Sequence, residues 1–503
     1  MKIRNLIYSV AVAGMALLPV SCEKWIDINH NPNNPENVPA KSLFAGAAVT
    51  TAYNQMAWDN LFVAGVWDQY FTQNENASQF KEVEKYFAQN FEYNYRNAYA
   101  SLGNLKEIIA KSSEDSEYRF VSELLSIYNW QNIVDLWGDV PYSEALNVEI
   151  TSPKFDKAAD IYKDLLDRID KVIADYESGK FTSEPISVDG YDFIFGGDLD
   201  LWYQFANSLK LKLNIHLAQY SGLGMTYSEL LNFISDESMF LTSTNAMLPA
   251  KVWGDKSTKQ YPLDEYENGQ FLSTNIVASM TYTSYTGLGN DPRAAIIFGA
   301  NPAGALQGDY QNHSQGTVSK VKQSQIVKNI PLISAWEVLF NMAEIYVENG
   351  DMDKAKAAYE NAVKASLEYW GVSDNSILTN DKYANWDALA TDKEKALRLI
   401  GLQRWVAFAM TQHGESFVTR NRTKYPVLSS ITPSNSTRSA LKDEFPAGKF
   451  IVSFAGVGTF AGAMPASAVY PQRGVLDRNI NAPAQKSNVT VKIFWDTKET
   501  IVE

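Results

Sequence analysis

Residues 335–370 read AWEVLFNMAEIYVENGDMDKAKAAYENAVKASLEYW, and the spacing inside this stretch decides the fold. Met342, Ala343, Tyr346, Gly350, Ala355, Tyr359 and Ala362 reproduce the tetratricopeptide pattern of two helices joined by a tight turn. Small residues at 343, 355 and 362 let the two antiparallel helices approach closely, while Tyr346 and Tyr359 fill the gaps between them. A single hairpin of this kind cannot bury its own faces, so further helix pairs are implied. The stretches 92–137 and 157–220 supply the candidates.

Outward from that stretch, helical periodicity covers much of the chain. In DIYKDLLDRIDKVIADY (160–176), Ile161, Leu165, Ile169, Val172, Ile173 and Tyr176 fall on one stripe, with Lys and Asp opposite. In LDLWYQFANSLKLKLNIHLAQY (199–220), Trp202, Phe205, Leu209 and Leu213 share a face. Helix is also expected from residue 41, through 117–137, and over EKALRLIGLQRWVAFAMTQ (394–412). Residues 222–330 differ: Gly, Ser, Thr, Asn and Tyr dominate, and helical stripes are short. Such a length of irregular chain exceeds an ordinary connection and marks a functional insert. From residue 424 the chain is irregular again, with AGKFIVSFAGVGTFAGAMPASAVYP (447–471) expected to add a short strand.

The amino terminus reads as an export signal. Lys2 and Arg4 precede fifteen uncharged residues, LIYSVAVAGMALLPV (6–20). As a helix they would span roughly 22 Å, short of the roughly 30 Å hydrocarbon core, so a spanning segment is not expected. Cys22, the only cysteine of 503 residues, follows directly. A lone thiol forms no internal disulfide. Its place after the apolar run and Ser21 is where lipoprotein maturation cleaves and attaches lipid. The expected division is a signal peptide at 1–21, a lipidated Asn- and Pro-rich tether at 22–40, and one domain over 41–503 carrying the insert at about 222–330. Beyond residue 21 the balance is 42 basic against 58 acidic residues, or −16, which argues against nucleic acid as a partner.

Catalytic patterns are missing from the sequence. The four histidines (His30, His216, His313, His413) show no metal spacing, Cys22 is committed to lipid, and GVGTFAG (456–462) misses the dinucleotide spacing. No catalytic residue, metal ligand or cofactor is expected. Aromatic residues are plentiful, at 13% of the chain.

Several segments, in order, resemble the SusD/RagB-type nutrient-binding outer-membrane lipoproteins of Bacteroidota. They are DINHNPNNP (27–35), IVDLWGDVPYSEAL (133–146), FGGDLDLWYQFANSLKLKL (195–213), NDPR (290–293), AWEVLFNMAEIYV (335–347), LQRWVAF (402–408) and YPQRGVLDRN (470–479). The resemblance implies a mostly α fold: tetratricopeptide-like helix pairs forming a right-handed scaffold, with long irregular loops and a few short strands. It also implies a lipid-anchored protein on the outer face of the outer membrane, resting as a lid over a SusC-like TonB-dependent barrel. Such a protein captures a glycan, or in some cases a peptide, and its repeat face contacts the barrel. A lipid-anchored repeat scaffold without a small ligand, and a surface glycan hydrolase, are the rival readings.

Sugar rings present apolar C–H faces, which Trp and Tyr match with stiff contact area while polar neighbours bond hydroxyls. Three stretches offer that combination. VWDQYFTQNENASQ (66–79) provides Trp67, Tyr70 and Asn74. KVWGDKSTKQYPLDEYENG (251–269) provides Trp253, Tyr261 and Tyr266. TYTSYTG (281–287) provides Tyr282 and Tyr285. Helical Trp67 and Tyr70 fit a core equally well, and Trp253 either plugs a core from a loop or stands as a platform. Other signatures read as structural: Asp139 capping the turn of LWGDVPY, Asp198 capping the Trp202 helix, Asn207 and Ser208 bonding neighbouring backbone, and Arg293 pinning a loop.

Overall fold

The computed structural model describes residues 38–187, 190–254, 260–268, 271–313, 316–322, 326, 328–460 and 462–503. The expected signal peptide, Cys22 and nearly all of the expected tether lie outside the described residues.

The first half of the chain is a run of long helices: α1 (Ala40–Gln55), α2 (Glu92–Lys111), α3 (Glu117–Trp137), α4 (Ala158–Glu177) and α5 (Leu199–Leu217). Each packs on the next in the series. α4 shows why. It buries Ile161, Leu165, Ile169, Val172 and Ile173 of the stripe its sequence marks, leaves Tyr176 half-buried, and turns most of its charges to solvent, Arg168 excepted, which pairs with Glu123 at 2.6 Å. Each buried aliphatic of this kind contributes roughly 1.5–3 kcal/mol. α3 begins at Ser116, whose side chain accepts from the Arg119 amide, and α5 begins at Asp198, which accepts from the Asp200 and Leu201 amides. Asn207 donates to the Tyr203 carbonyl and Ser208 accepts from the Leu241 amide. Asp139 departs from its expected role: it accepts from the Ala158 amide and pairs with Lys157, so it secures the start of α4.

The insert holds more helix than its composition suggests: α6 (Tyr227–Phe233), α7 (Pro262–Asn268), α8 (Met280–Leu288) and α9 (Pro292–Phe298). Local capping decides these short elements. Thr226 and Glu229 form a reciprocal box on α6, Ser279 caps α8, and Asp291 caps α9 ahead of Pro292. Arg293 is fully buried and bonds both oxygens of Asp291, pinning this loop.

The opening stretch forms α10 (Ala335–Glu348) and α11 (Met352–Tyr369), followed by α12 (Lys393–Phe408) and α13 (His413–Thr423). α10 is buried along almost its whole length because α5, α11 and α12 surround it. The turn after α10 places Gly350 at φ 83°, with the Gly350 amide on the Val347 carbonyl and the Asp351 amide on the Tyr346 carbonyl. This is a left-handed cap that a side chain would strain. Asp351 then caps α11. Ala343, Ala355 and Ala362 are fully buried at the crossing, where Tyr359 reaches the Ala384 carbonyl.

Strands are few and short. β1 (Phe71–Gln73) pairs with β5 (Ile276–Ala278), β2 (Val140–Pro141) with β3 (Phe155–Asp156), and β4 (Ala246–Leu248) with β6 (Ile330–Ile333), each antiparallel. Among the described residues, the strand expected within 447–471 does not form. Phe450 makes one isolated bridge to Leu428, and the rest of the segment bonds to loops from several parts of the chain.

Candidate ligand-binding site

Most of the aromatic residues marked in the sequence lie in the interior. Trp67 is fully buried between Phe91 and Phe417, its indole N–H on the Val83 carbonyl. Tyr70 stacks on His413 and Trp405 and donates to the Trp405 carbonyl. Tyr282 packs edge-on against Trp405, and Tyr285 donates to the Tyr383 carbonyl. Tyr261 donates to the Lys328 carbonyl, and Tyr266 packs against Trp58 and Phe62. Asn74 is buried too, with its amide on the Thr274 carbonyl. All seven are buried, so none of them presents an open face to a ligand in this structure. Irregular backbone supplies no apolar face of its own, so the loops of this protein are held by aromatic rings whose polar atoms satisfy buried carbonyls. Trp253 is half-buried, with its ring near Tyr53 and Tyr261.

The same loops converge on one carboxylate. Glu84 accepts from the Thr72 hydroxyl at 2.6 Å, the Gln73 amide at 3.0 Å, the Gln307 side chain at 3.1 Å and the Ser453 hydroxyl at 3.0 Å. Burial pushes its pKa up to about 7 against the pull of those bonds. Gln69 adds a second tie, donating to the Ile451 carbonyl and accepting from Thr281. Strand β1, the loop around 307, the start of α8 and the segment around 451 thus form one rigid platform.

On that platform lies a cleft of about 430 Å³ between Glu75, the loop 304–313 and Lys442. His313 sits at its back. His313 Nε2 lies 3.2 Å from the Glu75 amide and 3.4 Å from Asn74 Oδ1, and Nδ1 faces the Asp309 carbonyl at 3.4 Å. Burial lowers the His313 pKa, so the ring is neutral at pH 7. Asp309 is held by Arg438 and by the Asn312 amide, and Lys442 donates to the Asn312 carbonyl at 2.7 Å. Gln311 and Asn312 are exposed at the cleft. Tyr310 lies between the lining residues Asp309 and Gln311 in the chain and is half-buried, with the Lys81 ammonium 5.3 Å from its ring centre. Lys85, which also senses Tyr310 electrostatically, lies 5.5 Å from the ring centre of Phe87, itself 47% exposed.

Amides, a neutral imidazole, carboxylates and ammonium groups beside accessible rings can bond hydroxyls and cover apolar ring faces. Asn74 belongs to this site at one remove, because its Oδ1 accepts from the Glu75 amide. Tyr310, Gln311, His313, Lys442 and Phe87 were not singled out as site residues from the sequence. The polar run GDYQNHSQG (308–316), with one aromatic at its centre, is the signal that marks most of them. Among the described residues no group of three His, Cys, Asp or Glu side chains is placed to hold a metal ion, and no helix is long and apolar enough to cross a membrane.

Comparison with known proteins places the chain. A SusD-like family model described as "Starch-binding associating with outer membrane" matches residues 32–446. No curated protein matches. Among solved structures, a SusD homolog from Bacteroides uniformis superposes with a TM-score of 0.68 at 19% identity, covering 92% of this chain and 100% of that one. A chitin-binding SusD homolog from Flavobacterium johnsoniae superposes with a TM-score of 0.69 at 17% identity, covering 92% and 99%. Those likenesses show the fold, the helical scaffold that the sequence implies. The family match over most of the chain shows the rest: this is a member of the SusD-like family, proteins that bind rather than catalyse and that associate with the outer membrane.

Proposed function

We propose that the protein is a cell-surface lipoprotein, anchored through Cys22, that captures a glycan in the cleft beside Tyr310. It hands that glycan to a SusC-like TonB-dependent outer-membrane barrel, over which it acts as a lid. The observation that carries this reading is the cleft itself, lined by Glu75, Gln311, Asn312, His313 and Lys442 on loops locked around Glu84, with the half-buried Tyr310 between the lining residues Asp309 and Gln311 in the chain. Preorganised loops lose little entropy on binding, and exposed rings beside amides suit sugars. The family description names starch, and a structural neighbour is named as chitin-binding, so polysaccharide fragments are the first ligands to test. A peptide nutrient is the second reading. Screening the protein and its Tyr310→Ala variant against an array of oligosaccharides tests the proposal. Binding that Tyr310→Ala weakens about tenfold or more supports it, and binding unaffected by that change removes the cleft from the reading.

A further inference from the structure

A second cleft, of about 770 Å³, lies on the other side of the insert, between β4 and α11. Its volume falls in the range of about 300–1,000 Å³ typical of ligand sites. Along α11 its wall is Asn361, Lys364, Ala365 and Glu368, one helical stripe at i, i+3, i+4 and i+7. The facing wall comes from the segment entering and leaving β4. There Met247 is half-buried and lines the cleft while its neighbours Ala246 and Leu248 are buried, so the cleft meets a face of the strand and not its edge.

The two walls are held firmly. Asn245 accepts from the Ala335 amide at the start of α10, and Asn329 accepts from the Ala250 amide. Tyr369 donates to the Asn329 carbonyl at 2.8 Å and Tyr261 to the Lys328 carbonyl at 2.9 Å. Several polar groups remain uncommitted. Ser243, Asn361 and Glu368 side chains make no hydrogen bond within the described residues, and Lys364 has only a loose contact with Glu360 at 3.8 Å. The cations Lys328 and Lys364 balance the carboxylates Glu237 and Glu368, so the lining has no net charge to attract a polyanion.

We propose that this cleft is a second binding site for a neutral glycan, one the sequence does not mark and the first cleft does not need. Hydroxyl, amide, carboxylate and ammonium side chains together match the mixed donors and acceptors of sugar hydroxyls. Met247, Leu339 and Ala365 provide an apolar floor for C–H faces. An extended peptide would instead seek the backbone groups of a strand edge, and this cleft presents a strand face. Two sites on one rigid body raise the apparent affinity for a long polymer, because the second contact is intramolecular once the first is made.

The proposal rests on the glycan reading of the first cleft, and one experiment separates the two. An oligosaccharide array identifies the best ligand for the wild-type full chain. Calorimetry with that short oligosaccharide then compares wild type with Tyr310→Ala, Ala365→Trp and Asn361→Ala. Asn361 is exposed, so its variant keeps the test valid if the bulkier Trp disturbs folding. The expected result is a stoichiometry of two in the wild type. Ala365→Trp, and Asn361→Ala by about tenfold in affinity, remove one site, and Tyr310→Ala removes the other. A stoichiometry of one, lost with Tyr310→Ala and untouched by the α11 variants, overturns the second site and leaves the first reading standing. A single site lost only with the α11 variants does the reverse. Binding of peptides alone, or of no glycan on the array, overturns both.

Discussion

Tyr310 and Tyr282 stand 28 positions apart in the sequence, and their surroundings assign them opposite work. Tyr282 is fully buried against Trp405, Tyr70 and Phe298, while Tyr310 is half-buried with a lysine beside its ring. Tyr310→Ala is expected to weaken oligosaccharide binding by roughly 1–3 kcal/mol, by analogy with ring stacking on nucleic-acid bases, with the melting temperature almost unchanged. Trp67→Ala, by contrast, is expected to cost roughly 3–5 kcal/mol of stability. Urea titration reads the second effect and calorimetry the first. A stable, non-binding Trp67→Ala protein would return that residue to the site. Residue type alone could not separate such cases, because a tyrosine that fills a core and one that covers a sugar carry the same letter.

At the scale of elements, the α10–α11 hairpin was legible because its constraints are local. Close helix approach needs small residues at a fixed spacing, and Ala343, Ala355 and Ala362 meet at the crossing as that spacing requires. Ala362→Leu is expected to cost roughly 1–3 kcal/mol by overpacking, visible as a lowered urea midpoint at constant m-value. The proposed contact of this hairpin with the barrel is tested on its outer side. Glu348 is unsuitable, since it pairs with Lys393 at 2.6 Å and is largely covered. Asp353 is exposed. Asp353→Lys is expected to lower copurification of the barrel without changing the melting temperature, and unchanged recovery would move the contact to another face. The insert was less legible. Its short helices are decided by single caps, such as Ser279 on α8 and Asp291 on α9, which leave little periodic signal in seven to nine residues.

At the scale of the whole molecule, long-range charge burial governs the response to pH. His216 lies 3.0 Å from both Asp135 and Glu415. Burial alone would lower its pKa, but the two carboxylates raise it to about 9. A raised folded-state pKa contributes stability below the unfolded value of 6.5 that is lost as pH climbs through about 9, here about 3 kcal/mol. Burial also raises Asp59 and Glu84 to about 7, so their contribution is lost between about pH 4 and 7. Glu344 opposes this. Its burial is outweighed by Arg422 and Arg404, its pKa is depressed, and its contribution is lost as pH falls below the usual carboxylate range. Thermal unfolding is therefore expected to peak in mildly acidic buffer and to decline toward pH 9. His216→Gln should flatten the decline between pH 6.5 and 9. A wild-type melting temperature constant over that interval would show that His216 does not bind its proton more tightly in the fold.

The sequence by itself determined the helical scaffold and the order of segments that marks the family. These depend on spacing along the chain, where a helix repeats every 3.6 residues and a hairpin closes within a few. Only the tertiary structure decided which aromatic rings are buried. Tyr70 meets Trp405 and His413 across more than 330 residues, and Glu84 gathers donors from around 72, 307 and 453. A loop residue is buried or exposed according to what the rest of the chain brings to it. That depends on contacts distant in sequence, which leave no period to read.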